Sequence, residues 1–315
     1  MTARYRIRLR PSPLALGAAR LGAFWQGHSL REGVRMLHAA LDSGINLLDT
    51  ADAYAHGLSE RTIALLPRAD RERALICTKV GQLKTSMATL RAHAAEGRLS
   101  LRSLAAAIPR RTPAEVSKVP RCYDSAYISA AFAGSLKRLR SERVDILLLH
   151  SPSLVDLTQR RFEAAATRLL ANGDAAHFGV SCDSPEVARA AAELPYVSFV
   201  ELPLDIVNFD QRALVADLAT RGIGVLARSP FGGGSLASFF AARLGAFDVD
   251  TQAYCLQSVV RAEGVLSAIV GMSTAHRVHE NLALLTREIP LAKRGCIEFA
   301  LQPRASDSWA SARPS

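Results

Sequence analysis

The chain has 315 residues, 49% of them hydrophobic and 22% charged, which are globular values that argue against disorder. A net charge of +10 is carried mostly by scattered arginines, and no aromatic-interleaved basic motif or zinc spacing accompanies it, so the composition argues against a nucleic-acid partner. The basic balance fits either a solvated surface or an attraction for anionic ligands such as phosphorylated cofactors.

Five cysteines, at 77, 122, 182, 255 and 296, form an odd set without C-x-x-C spacing, which excludes a disulfide framework and a structural zinc site. Thr2 to Leu16 alternates arginine with apolar residues and has no continuous apolar stretch. No run reaches the roughly 18 apolar residues of a membrane span. The expectation is a soluble, cytoplasmic protein without membrane or nucleic-acid partners, monomeric or weakly self-associating.

In chain order, a first strand is predicted at Leu14–Gly17 and a helix at Leu30–Asp42, with Val34, Leu37 and Leu41 on one face. Ile45 to Leu48 reads as a buried strand, followed by Asp49, Tyr54 and a helix from Ser59 to Leu66. There Ser59 is the expected N-cap, with Glu60 suited to the positive helix end. Ala74 to Val80 is a strand ending on a lysine. Residues 82–121 break the rhythm, with eight Lys/Arg against two Glu and prolines at 109, 113 and 120. This segment is too long for a simple connection and reads as a functional lid or a mobile insertion.

Alternation then resumes with a helix at Ser125–Leu139, a strand at Val144–His150, and a helix from Thr158 to Ala171 stopped by Gly173. Strands follow at Ala176–Ser181, Val197–Glu201, Ile223–Arg228 and Leu266–Val270. Helices are predicted at Pro185–Glu193, Asp210–Thr220, Thr251–Glu263 and Thr274–Leu285. Residues 304–315 read as a loose tail. Eight near-continuous apolar strands separated by helices imply a parallel sheet covered on both faces. In about 300 residues this fits a closed (β/α)₈ TIM barrel, a single domain over 1–303 that includes the insertion after the third strand. A G-x-G-x-x-G turn after the first strand is absent, which weakens an open dinucleotide-binding sheet.

A barrel gathers its reactive groups at the C-terminal strand ends. Asp49, Lys79 and His150 sit at the ends of the second, third and fourth strands, and Tyr54 in the loop after the second. An ammonium beside a phenol stabilises the phenolate, and a carboxylate keeps that ammonium charged and placed. The phenol then serves as general acid for a developing alkoxide, while a histidine orients the carbonyl. This set suits carbonyl reduction by hydride and calls for no metal.

The same residues carry a resemblance. Gly44-Ile45-Asn46, Asp49-Thr50-Ala51, Tyr54, Gly57 and Ser59-Glu60 resemble the first signature of the aldo-keto reductase superfamily. Thr78-Lys79-Val80-Gly81, Ser135 to Leu139 with Val144 to His150, Phe178-Gly179-Val180-Ser181, Ser229-Pro230, and Gly271-Met272-Ser273 with Arg277, Glu280 and Asn281 match later segments. The match runs from about Leu14 to Leu285, with 82–121 unmatched. The resemblance implies a (β/α)₈ barrel that binds NADPH in extended form. It implies Tyr54 as general acid, Lys79 and Asp49 tuning it, and His150 orienting substrate. It places the cofactor on Ser181, Cys182, Glu201, Arg228, Ser229, Phe231, Gly233, Gly271, Met272, Ser273, Arg277, Glu280 and Asn281. A guanidinium at Arg277 favours NADP, with NAD also possible because Gly271 stands where some members carry lysine.

Three positions depart from the family pattern. Ser181-Cys182 stands where Ser-Asn is usual, Glu201 replaces a glutamine, and Asp205 replaces an asparagine. Ionised Glu only accepts hydrogen bonds, so it can take the carboxamide NH₂ but cannot serve its oxygen. Arg228, at the ring-stacking position, should disfavour the positively charged oxidised ring unless Glu201 offsets it. The expected activity is NADPH-dependent reduction of an aldehyde, ketone or sugar-like carbonyl, or the reverse oxidation. The alternative is a barrel that binds a cofactor or ligand with weakened turnover. Phe24 and Trp25, the basic insertion, and the tail with Trp309 are the candidate substrate contacts.

Overall fold

The computed structural model describes residues 7, 9–23, 29–83, 120–207 and 210–302. In chain order these form β1 (Leu14–Gly17), α1 (Leu30–Asp42), β2 (Leu47–Asp49), α2 (Leu58–Ile63), α3 (Arg68–Glu72), β3 (Leu75–Val80), α4 (Ser125–Leu139), β4 (Val144–His150), α5 (Leu154–Gln159) and α6 (Glu163–Asn172). They continue with β5 (Ala175–Ser181), α7 (Pro185–Ala192), β6 (Val197–Pro203), α8 (Asp210–Thr220), β7 (Gly224–Arg228), α9 (Ser235–Leu244), α10 (Val249–Val260), β8 (Val265–Gly271), α11 (Ala275–Thr286) and α12 (Leu291–Ala300). All strand pairs are parallel, and β8 returns to β1 to close the barrel.

Alternation along each strand divides the apolar residues into two layers. Ala15, Leu47, Cys77, Ile146, Leu148, Phe199, Leu226 and Ile269 fill the barrel interior. Residues of opposite phase, such as Leu16, Leu48, Val80, Leu147, Leu149 and Val225, pack outward with Leu37, Phe132, Leu169 and Leu218 of the helices. Each fully buried Leu or Phe contributes roughly 1.5–3 kcal/mol against an exposed position. With the sides and interior sealed, the polar strand ends Asp49, Lys79, His150, Ser181 and Glu201 are left at one mouth.

Helix ends follow local chemistry. Ser29 and Glu32 form a reciprocal capping box on α1, the Thr274 side chain accepts from the Arg277 amide on α11, and Gly173 stops α6 in the left-handed region. Two predictions need correction. The single helix expected over 158–171 is two, because Arg160 adopts a left-handed conformation with φ of 51° and breaks it. The break lets buried Phe162 stack on Phe178, with ring centroids 6.3 Å apart. Ser59 is not an N-cap. Gly57, at φ of 90°, precedes α2, and the Ser59 hydroxyl turns inward. Helices α3, α9 and α12 had no counterpart among the predicted elements.

The chain leaves the barrel after β3 and returns at an adjacent point. Gln82 bridges Arg121, and the Leu83 amide donates to the Pro120 carbonyl at 2.7 Å. Residues 84–119, the bulk of the predicted insertion, lie outside the described residues, as do Phe24, Trp25 and Trp309. Among the described residues no helix is long and apolar enough to cross a membrane, and the five cysteines are free thiols.

Candidate active site

The site is built from β2 outward. Asp49 and Cys77 are register partners, so β2 and β3 carry Asp49 and Lys79 into the same mouth. After Asp49 the chain is held against β3 by the Thr50 amide donating to the Cys77 carbonyl and the Asp52 amide to the Lys79 carbonyl. It then turns sharply. Ala55, His56 and Gly57 have φ of 45°, 58° and 90°, a run of left-handed residues that aims Tyr54 back over the barrel. At Gly57 an added Cβ would lie 2.7 Å from the Arg138 side chain, so the turn needs glycine for both conformation and space.

Ser59 and Glu60 anchor this turn from beneath. The Ser59 hydroxyl donates to the Ala18 carbonyl at 2.9 Å and meets the Thr50 hydroxyl at 2.7 Å. Glu60 is fully buried, accepts from Thr78 at 2.7 Å and pairs with Arg138 Nε at 2.6 Å. Their role is therefore to hold the Tyr54 turn on β3 and α4.

Lys79 is wholly buried and its ammonium binds the Asp49 carboxylate directly. It also stands 3.0 Å from Glu201 Oε2 and 3.4 Å from the Tyr54 phenol oxygen. Burial pulls the Lys79 pKa down, but Asp49 and Glu201 outweigh it and hold the pKa well above the ordinary value. Asp49 is pushed up to about 7, chiefly by burial, with Lys79 opposing and Glu201 adding. Burial also raises the Tyr54 phenol, and the two carboxylates add to burial against the pull of Lys79. The sequence argument anticipated a phenol acidified by its ammonium neighbour. Lys79 does pull in that direction, but burial outweighs it and the two carboxylates add to burial, so the phenol is held protonated.

His150 stands edge-on to Tyr54, with ring centroids 5.6 Å apart. Burial, then Lys79, Arg228 and Arg121, lower its pKa well below the ordinary value, so it is a neutral imidazole. Its Nδ1 has no partner among the described residues, and Tyr123 donates to its backbone carbonyl at 2.8 Å. Asp49, Cys77 and Glu201 converge closely enough to suggest a metal cage. The Lys79 ammonium already contacts both carboxylates there.

The opposite wall is self-paired. The Ser181 hydroxyl donates to Glu201 Oε1 at 2.9 Å. Arg228 donates to Asp183 at 2.6 Å and to the Cys182 carbonyl at 3.1 Å, and its Nε lies 3.7 Å from Glu201. The Cys182 thiol turns into the sheet–helix core toward the Val180 carbonyl, so only its backbone faces this network. Asp205 accepts from the Val207 amide at 2.9 Å.

A cavity of about 440 Å³ joins these parts. It is lined at one end by Asp49, Tyr54, Glu201 and Arg228, continues past Ser229, Phe231 and Gly233, and reaches Gly271, Met272 and Ser273. An added Cβ would meet nothing at Gly233, Gly234 or Gly271, so bare backbone borders the open space. Arg277, Glu280 and Asn281 lie on α11 just beyond. There Arg277 pairs with Glu280 at 3.0 Å, and Asn281 donates to the Arg277 carbonyl at 2.8 Å. Sequence reasoning missed Arg20, which lines the cavity after β1, although a basic residue near a strand end is the signal used for Lys79. It also missed Asp183, two residues past β5, whose role emerges only when β5 and β7 are brought together.

The sequence model of the aldo/keto reductase family matches residues 13–251. The chain is 28% identical over 285 residues to the 6-dehydroglucose reductase of Novosphingobium aromaticivorans, covering 83% of this chain and 77% of that protein. It is 25% identical to the pyridoxal 4-dehydrogenase of Microbacterium luteolum, covering 90% and 92%. Its fold superposes on the holo form of aldo-keto reductase AKR11C1 from Bacillus halodurans with a TM-score of 0.73, at 20% identity and 95% of both chains.

Proposed function

Because the chain belongs to the aldo/keto reductase family and is an oxidoreductase, we propose that it transfers a hydride between a nicotinamide dinucleotide and the carbonyl or alcohol carbon of a small aldehyde, ketone or sugar-like molecule. The observation that carries this reading is the convergence of Lys79 and His150 on Tyr54, which lines the cavity together with Asp49, with the Lys79 ammonium 3.4 Å from the phenol oxygen. Tyr54 gives its proton to the oxygen of the reacting carbonyl, or takes it back in the reverse direction. Lys79 stabilises the phenolate left behind, and Asp49 keeps Lys79 charged and in place. Neutral His150 supplies a second hydrogen bond to the same oxygen and fixes the carbonyl plane.

The bare backbone at Gly233, Gly234 and Gly271 and the elongated cavity fit a dinucleotide. Ser229, Phe231, Gly233 and Gly271 to Ser273 would hold it along the cavity. Gly234 precedes the ten-residue helix α9, whose amide end suits a phosphate. Arg277 with Asn281 would meet the adenosine end, which favours NADP. When bound, the nicotinamide supplies or accepts the hydride. The activities named for the two relatives, on a dehydroglucose and on pyridoxal, support a small polar carbonyl or alcohol substrate. Residues 1–303 are proposed as the barrel unit; residues 304–315, read from the sequence as a tail, lie outside the described residues.

Fluorescence titration with NADPH, then turnover across aldehydes, ketones and sugars, tests the proposal. Tyr54→Phe should lower turnover by about 10²–10⁴-fold and leave dinucleotide affinity unchanged. Unchanged turnover would remove Tyr54 as the proton donor. Binding without turnover on any substrate would favour the weakened barrel, a reading supported by the engagement of Ser181 with Glu201. Failure to bind any dinucleotide would remove the oxidoreductase reading of this cavity.

A further inference from the structure

From about pH 7 upward, where Asp49 is ionised as well as Glu201, the buried end of the cavity holds more negative charge than positive. Asp49 and Glu201 are 3% and 1% exposed, and both contact a single ammonium, that of Lys79. The other titratable groups around them are uncharged, because burial holds the Cys77 thiol and the Tyr54 phenol protonated and His150 neutral. The remaining cations stand at the rim, where exposed Arg20 lines the cavity after β1. Arg228, 28% exposed, is engaged by Asp183 and the Cys182 carbonyl, and Arg121 lies 4.0 Å from Asp183. Water and salt screen these rim charges, whereas two carboxylates buried against one ammonium are screened far less. Glu201 is also the more weakly neutralised of the two, at 3.0 Å from Lys79 and 3.7 Å from Arg228, and it faces the cavity beside Tyr54.

We propose that Glu201 makes the reacting end of the cavity a cation site, which grips the oxidised, positively charged nicotinamide ring more tightly than the neutral reduced ring. The inference rests on the oxidoreductase reading above and assigns Glu201 as the residue that sets redox-form preference. It reverses the expectation from Arg228, whose guanidinium is held by Asp183 and the Cys182 carbonyl. Glu201 would also stabilise the positive charge that the nicotinamide ring gains on giving up a hydride. Carbonyl reduction is therefore favoured on the protein, while the oxidised cofactor leaves slowly and inhibits as a product.

The test is calorimetric titration of the full-length chain with NADP⁺, NADPH, NAD⁺ and NADH, and with 2′,5′-ADP as a probe lacking the ring. In the wild type the oxidised form should bind about tenfold more tightly than the reduced form of the same dinucleotide. Glu201→Gln should remove that ratio through the oxidised form alone, leaving the reduced form and 2′,5′-ADP unchanged. Equal affinities for the two redox forms in the wild type overturn the inference, whether or not the variant folds, and so does a ratio that survives Glu201→Gln. If none of the dinucleotides binds, the underlying oxidoreductase reading falls with it; dinucleotide binding with equal affinities removes only the role of Glu201.

Discussion

The two walls of the cavity are organised in opposite ways. On the wall from β2 to β4, Asp49 and Tyr54 line the opening, Lys79 and His150 are buried against Tyr54, and the Nδ1 of His150 has no partner among the described residues. On the wall from β5 to β7, Ser181, Glu201, Asp183 and Arg228 are bound mainly to one another. The first wall gathers a buried ammonium, a protonated phenol and a neutral imidazole. The second is a charge network whose partners must be shared with whatever binds beside it. Lys79 links the two walls, because its ammonium touches Asp49 on one and Glu201 on the other.

Removing that link gives the largest expected effect. Lys79→Met leaves two carboxylates buried without a counter-ion, and breaking such a cluster costs about 3–5 kcal/mol. Chemical denaturation should show a loss of this size, together with loss of turnover. A loss below about 1 kcal/mol would mean that the carboxylates do not depend on Lys79, and the two walls would then be independent.

The first wall was legible in the sequence because strand ends carry it. Apolar runs marked β2, β3 and β4, and the residue closing each run was the chemical one. The second wall was legible as positions but not as contacts. Glu201 and Arg228 close or nearly close their strands, yet nothing in the chain says that Asp183, Ser181 and Lys79 would engage them, because these pairings arise from barrel closure. Cys182 was misleading for a related reason, since strand alternation turns its thiol outward into the core. Ser59 carries the right residue type for a cap but is buried by a turn whose left-handed run a sequence pattern does not reveal. The missed α9 starts from a glycine-rich turn that reads as loop, and α12 exposes Leu291 and Phe299, which blurs its apolar face.

The second prediction concerns pH, where two groups of the first wall act with opposite sign. Asp49, pushed up to about 7 by burial with help from Glu201, keeps a proton in the folded state that an unfolded carboxyl releases near 3.8. Its contribution to stability therefore falls as pH rises from about 3.8 through about 7 and is flat above. His150 is lowered below its ordinary 6.5, so the unfolded state takes up the proton first, and stability rises as pH climbs toward 6.5. The two slopes oppose each other in the wild type. Glu201→Gln separates them, because Glu201 raises Asp49 but is not among the charges acting on His150. Relative to wild type, the variant should gain stability with rising pH, by at most about 1.4 kcal/mol per pH unit. Denaturation curves at intervals from pH 5 to 8 measure the difference, and a constant offset would show that Asp49 and Glu201 do not sense each other.

The smallest effect belongs to the rim. Arg228 pairs with an Asp183 side chain that is 55% exposed, so the pair gains little over its solvated state. Arg228→Met should change stability by no more than about 1 kcal/mol, against the larger loss expected at Lys79. Its consequence for binding runs the other way. Taking away the only rim guanidinium within 4 Å of Glu201 among the described residues leaves that carboxylate less neutralised, so the preference for the oxidised dinucleotide should widen, by roughly two- to tenfold. Denaturation and paired titrations of the same sample read both quantities. A large stability loss would place Arg228 among the structural cations with Lys79. A narrowed preference would mean that Arg228 holds Glu201 toward the ring and does not shield it, and the second wall would then act as one unit, as the first does.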